Sequence, residues 1–194
     1  MKERTARLIT NVVNPFAVSA VVLALLAFQD TADVAHGILW TAVSLALSVG
    51  PVLIAVAVLV RRRKMDGMFN NPRRQRYLTY RFAIGLGAVG CLVLWLADGP
   101  GLLRTTFVAG VAALVVFMAV NFYWKISLHT AFIAGTATIL TIVNGWYGAL
   151  ALLLLPAVAW SRLVLGQHSP GQVSAGAIGA AGIVVTVFAA CGYL

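Results

Sequence analysis

Long apolar runs alternate with short polar joints along this chain, and the length of the runs decides its class. Crossing about 30 Å of hydrocarbon takes roughly 20 helical residues. Runs of that order lie near residues 9–28, 37–60, 79–97, 104–123, 128–145, 147–166 and 172–193. A helix meets all its backbone hydrogen-bonding needs within one such segment, so the pattern predicts an all-α polytopic membrane protein. Six to seven transmembrane helices are expected, in a single transmembrane domain over residues 1–194. The fifth and sixth runs are parted only by Asn144-Gly145-Trp146-Tyr147-Gly148, which reads as a tight interfacial turn with two aromatic belt residues. The first run can be read as a peripheral addition to a six-helix core.

Composition excludes a soluble domain. Hydrophobic residues make up 61% of the 194 and charged residues 10%, and the mean hydropathy is +0.96, more apolar surface than a soluble fold could hide. The apolar run after the short basic start continues past Ala20 with no small-residue cleavage pattern, so no cleavable signal is expected. Cys91 and Cys191 stand inside apolar runs and are read as small buried residues rather than a disulfide or metal pair.

Charge then orients the spans. With seven crossings, residues 1–8, 61–78, 124–127 and 167–171 share one side, and of the basic residues only Arg104 falls on the other. Setting aside Lys64, Arg73, Arg74, Arg76, Lys125 and Arg162 as candidate ligand binders still leaves Lys2, Arg4, Arg7, Arg61, Arg62, Arg63 and Arg81 on the first side. Positive-inside logic makes that side cytoplasmic, in a bacterial-type inner membrane. Small residues at close spacing, Gly85, Gly87 and Gly90 and then Gly176, Gly179 and Gly182, are expected where helices touch. Asn11, Asn14, Asn121 and Asn144 lie near span ends, where capping explains them.

Polar groups capable of chemistry gather at three joints on the first side. Trp160 to Gly176 carries Ser161, Arg162, His168 and Gln172; Lys125-Ile-Ser-Leu-His129-Thr opens another apolar run; and residues 61–81 form a strongly basic loop. Alone, that loop reads as an anionic-lipid contact and topology anchor, with no nucleic acid among the expected partners. Together the three joints can bring cations, hydroxyls and imidazoles onto one anion. A phosphate suits them, because guanidinium forks and helix N-termini bind its oxygens and an imidazole can attack phosphorus or protonate a leaving oxygen. Neither histidine has an Asp, Glu or Cys beside it, and the nearby arginines repel a divalent ion, so neither a metal site nor a cofactor is expected.

These residues resemble the type 2 phosphatidic acid phosphatases, membrane relatives of the vanadium haloperoxidases. The family's third motif, Ser-Arg, five residues, His, three residues, Asp, is spaced as Ser161-Arg162, His168 and Gln172 are here. The second motif, Pro-Ser-Gly-His, is met as Ile126-Ser127-Leu128-His129. The first, a Lys followed six residues later by Arg-Pro, has no clean match, with Lys64, Arg73, Arg74 and Arg76 as the available cations. The resemblance spans about residues 60–190 and implies a phosphatase-like helical core. It further implies that His168 is the nucleophile, that His129 protonates the leaving alcohol, and that Arg162 and Ser127, with Ser161, Lys125 and loop cations such as Lys64, Arg73 or Arg76, bind the phosphate.

Gln172 departs from the family, which has a carboxylate there. An amide oxygen can fix the imidazole tautomer but cannot support an imidazolium, and amide replacement in a comparable triad costs on the order of ten-thousandfold. Ser169-Pro170-Gly171-Gln172 also has the form of a capping box with proline at the first helical position. Two functions are therefore expected in competition. One is a metal-independent phosphatase acting on a lipid phosphate or isoprenoid (di)phosphate in the bilayer. The other is a phospholipid-binding or lipid-moving protein with a repurposed site.

Overall fold

A computed structural model of the chain describes residues 1–68 and 72–194. The described residues form helices and no strand: α1 (Lys2–Val12), α2 (Pro15–Gln29), α3 (Val34–Ala46), α4 (Val49–Arg61), α5 (Arg73–Leu96), α6 (Gly101–Val120), α7 (Leu128–Asn144), α8 (Trp146–Ala149), a 3-10 turn (Leu150–Leu153), α9 (Leu154–Val164) and α10 (Pro170–Ala190). Six helical segments are long and apolar enough to span a membrane: Lys2–Gln29, Val34–Arg61, Arg73–Leu96, Gly101–Val120, Trp146–Val164 and Pro170–Ala190. The chain is a multi-pass membrane protein. The seventh segment, α7, is an apolar helix of 17 residues and falls just short of span length.

Three of the expected spans are broken, each next to a proline. Proline removes an N–H from the ladder and disfavours the helical region for the residue before it. Pro15 parts α1 from α2, and Asn14 caps the new start by accepting from the Ala17 amide at 3.0 Å. Pro51 leaves the Leu47 carbonyl without its donor, and Ser48 departs from helical geometry between α3 and α4. Pro156 does the same for the Leu152 carbonyl, where α8 passes through a 3-10 turn into α9. Asn121 stands at the C-cap of α6, its side chain donating to the Arg73 carbonyl at 3.2 Å, whereas Asn11 lies inside α1 and Asn144 is the last residue of α7. The residue 61–81 loop is also shorter than expected, because Arg73, Arg74, Arg76 and Arg81 are already helical in α5.

The chain divides into two compact units, residues 1–22 with 123–194 and residues 23–122. In the second, α5 packs on α6, with Gly90 against Phe107 and Gly87 against Val111. The Asp30 carboxylate there accepts from the Leu102 amide at 2.8 Å and caps α6. Asp33 caps α3 by accepting from the His36 amide at 2.9 Å, and that bond together with the neighbouring His36 ring holds its carboxyl below the ordinary range.

In the first unit α7 packs along α10 and α1 packs along α9. The N-terminal helix is thus an integral wall of its unit rather than a peripheral addition. Gly145, at φ +60°, turns the chain directly from α7 into α8, and Trp146 and Tyr147 pack at 3.9 Å between ring centroids. Gly148 then sits against the Leu140 and Thr141 backbone, where no side chain fits. Both cysteines are free; Cys91 is half-buried, but Cys191 is exposed at the end of α10, contrary to the buried position expected of it.

Candidate functional site

The first unit collects the motif residues at the starts of two helices and the end of a third. His168 and Ser169 precede α10, Ser127 and His129 stand at the N-cap and second position of α7, and Ser161 and Arg162 lie in the last turns of α9. Ser127, Ser161 and Arg162 are fully buried, and His129 and His168 nearly so. Burying polar groups in an apolar protein is costly unless they are hydrogen-bonded.

Two hydrogen bonds join the helix starts that carry the histidines. The Ser127 amide donates to the Gln172 carbonyl at 3.2 Å, and the buried Thr130 hydroxyl is placed to donate to the Val173 carbonyl at 3.0 Å or to its own helix at the Ser127 carbonyl at 3.1 Å. Gly176 permits this closeness. A Cβ there would meet the Ser127 carbonyl oxygen at 2.6 Å and Thr130 Oγ1 at 3.0 Å.

The tautomer of His168 follows from its neighbours. Gln172 Oε1 lies 3.2 Å from the Ser169 backbone amide and 3.1 Å from His168 Nδ1. A backbone N–H only donates, so the atom facing it is the amide oxygen, which only accepts. Nδ1 therefore carries the proton, and in the neutral ring the lone pair belongs to Nε2. The Gln172 backbone N–H in turn donates to Ser169 Oγ at 3.3 Å, completing a capping box. Gln172 is at once a helix cap and the orienter of a histidine.

A second chain of hydrogen bonds fixes Arg162. Its Nη1 lies 3.5 Å from Thr10 Oγ1, which is 2.9 Å from Ser161 Oγ, and the Ser161 hydroxyl donates to the Val158 carbonyl at 2.8 Å. The loop behind α9 closes through the Gln167 amide, which donates to the Arg162 carbonyl at 3.1 Å, and through Gly166 at φ +62°. Among the described residues the buried Ser127 hydroxyl has no hydrogen-bond partner. That leaves an O–H beside the α7 N-terminus able to donate to an anion.

Lys125, half-buried just ahead of α7, belongs to the same unit. Lys64, Arg73 and Arg76 belong to the other. There Lys64 is exposed, Arg76 is buried, and Arg73 donates to the Phe122 carbonyl at 3.2 Å while Tyr77 packs on the Phe122 ring at 4.8 Å. Asn70 and Asn71 of the same loop lie outside the described residues. The structure thus forms two hydrogen-bonded sets in this unit: Ser127, Thr130, His168 and Gln172, with His129 on the same helix start, and Ser161 and Arg162, with Thr10 as a member that sequence spacing does not mark. Comparison with protein-family models, curated proteins and solved structures finds no match to the chain.

Proposed function

We propose that the protein is a membrane phosphatase that hydrolyses a lipid phosphate or isoprenoid (di)phosphate without a metal, through a phosphohistidine, at the cytoplasmic face. The observation that carries this reading is the fixed tautomer of His168, with Nδ1–H held by Gln172 and the lone pair on Nε2. The start of α7, with His129 and the Ser127 hydroxyl, is bonded beside it.

In the proposed reaction, His168 Nε2 forms a bond to phosphorus as the P–O bond to the lipid alcohol breaks. His129, protonated, gives its proton to the departing oxygen. Arg162 and the Ser127 hydroxyl stabilise the charge on the non-bridging oxygens, with Lys125 of the same unit as a further phosphate ligand. Water then attacks phosphorus with His129 as base, the N–P bond breaks, and inorganic phosphate leaves.

The experiment is phosphate release from a panel of lipid phosphates by the full chain in detergent with excess chelator. Release that disappears in His168→Ala supports the reading, and retention of the lipid phosphate without release contradicts it. A second reading, a binding or lipid-moving protein with a repurposed site, is favoured by one observation. Gln172 supplies no negative charge, and its oxygen already accepts from both His168 and Ser169.

A further inference from the structure

Threonine in an apolar helix ordinarily satisfies its hydroxyl locally, on the carbonyl four residues back. This chain does so repeatedly: Thr31 on Ala27, Thr41 on Gly37, Thr138 on Ala134, Thr141 on Ala137 and Thr186 on Gly182, all at 2.7–2.9 Å. Thr10 departs from that habit. The residue is 4% exposed, and its hydroxyl reaches off α1 to Ser161 and Arg162 on α9, more than 150 residues away in sequence.

The proton directions in that contact are determined by its ends. A guanidinium has only donors and a backbone carbonyl only acceptors. Ser161 commits its hydrogen to the Val158 carbonyl at 2.8 Å, so at the 2.9 Å contact its oxygen accepts and the Thr10 hydroxyl donates. The Thr10 lone pairs are then available to Arg162 Nη1 at 3.5 Å. The result is a one-way chain from Arg162 through Thr10 and Ser161 to the Val158 carbonyl, in a setting where successive hydrogen bonds polarise one another.

We propose that Thr10 is a positioning residue for Arg162, so that the N-terminal helix sets the orientation of the guanidinium that grips the phosphate. The proposal rests on the phosphate-site reading above. Thr10 touches no reacting atom in this role. It anchors one nitrogen of the guanidinium fork through an acceptor that is itself held by its bond to Ser161. Valine at this position keeps the shape and removes the acceptor, whereas serine keeps the acceptor.

The test is the affinity of the full-length protein in detergent for inorganic phosphate, and for orthovanadate as a mimic of the five-coordinate state, measured by calorimetry on the parent, Thr10→Val, Thr10→Ser and Arg162→Ala. A hydrogen bond to a charged group is commonly worth about tenfold in an equilibrium constant. Thr10→Val is accordingly expected to weaken binding of both anions about tenfold, with vanadate affected at least as much as phosphate. Thr10→Ser should stay within about twofold of the parent by the same reckoning. Should Thr10→Val fail to fold, Thr10→Cys, a weaker acceptor of similar size, carries the same expected direction.

Parent-like affinity in Thr10→Val or its cysteine substitute, alongside loss of binding in Arg162→Ala, overturns the role of Thr10 and leaves the phosphate site standing. Equal losses in Thr10→Val and Thr10→Ser overturn it too, since the methyl packing would then be what matters. A parent chain that binds neither anion overturns both the phosphate-site reading and this proposal.

Discussion

At the scale of single residues, the account turns on Gln172. The side chain makes one of the two contributions expected of a carboxylate there: it holds His168 in the Nδ1–H tautomer at 3.1 Å. It cannot make the other, which in the proposed reaction is to stabilise the positive charge that would grow on the ring as Nε2 bonds to phosphorus. Gln172→Asp should therefore raise the rate of phosphohistidine formation, read by rapid quench, by about tenfold or more. Under the binding-protein reading the same substitution repels the bound phosphate, weakening affinity with no turnover gained. Gln172→Ala removes a capping partner as well as the orienter, so it should lower stability by about 1 kcal/mol and slow phosphohistidine formation together. The capping box and the histidine spacing were both legible in the sequence because they are local. Thr10 was not, since a threonine in an apolar helix reads the same whether it bonds back to its own turn or across to a neighbour.

At the scale of elements, helix identity was legible from apolar run length, and helix continuity was not. The expected spans near 9–28, 37–60 and 147–166 each contain a break, at Val13–Asn14, at Leu47–Ser48 and through the 3-10 turn at Leu150–Leu153. Periodicity averages over such breaks, while the proline that causes each one acts on a single carbonyl. Glycine patterning was similarly blunt. Gly176 and Gly182 look alike in sequence, yet only Gly176 meets a neighbouring backbone, and nothing lies within 4 Å of a Cβ at Gly182. Gly176→Ala should cost about 1–3 kcal/mol by overpacking and abolish most turnover by parting the starts of α7 and α10, whereas Gly182→Ala should leave both unchanged; thermal unfolding and phosphate release in detergent check the pair. The end of α4 offers a further test. Arg63 stands at φ 56°, with its amide on the Val60 carbonyl at 3.0 Å and the Lys64 amide on the Leu59 carbonyl at 2.9 Å, a helix-ending arrangement that glycine fits best. Arg63→Gly should raise stability by about 1 kcal/mol in detergent, read as an increase in Tm.

At the scale of the whole molecule, the six apolar segments of span length among the described residues make this a multi-pass membrane protein, and among those residues α7 is the expected span that falls short. Its 17 residues run from Leu128 to the Gly145 turn, and a hydrophobic helix shorter than the hydrocarbon thickness can still cross where the bilayer thins. The charge pattern predicts that Lys2, Arg4, Arg7 and the residue 61–64 cluster share the cytoplasmic side with His129 and His168. A cysteine replacing Ser169, in a background lacking Cys91 and Cys191, should resist an impermeant thiol reagent in intact cells and react once the membrane is opened. Labelling in intact cells would invert the orientation.

The central proposal, that His168 becomes phosphorylated, is tested most directly by trapping the protein with a radiolabelled lipid phosphate. The parent chain should acquire an acid-labile, alkali-stable label that maps to His168, and His168→Ala should acquire none. His129→Ala should still be labelled by a substrate with a good leaving group, because only poor leaving groups need the proton. A label that survives in His168→Ala, or phosphate release from the parent with no trapped label at any time, would contradict the account.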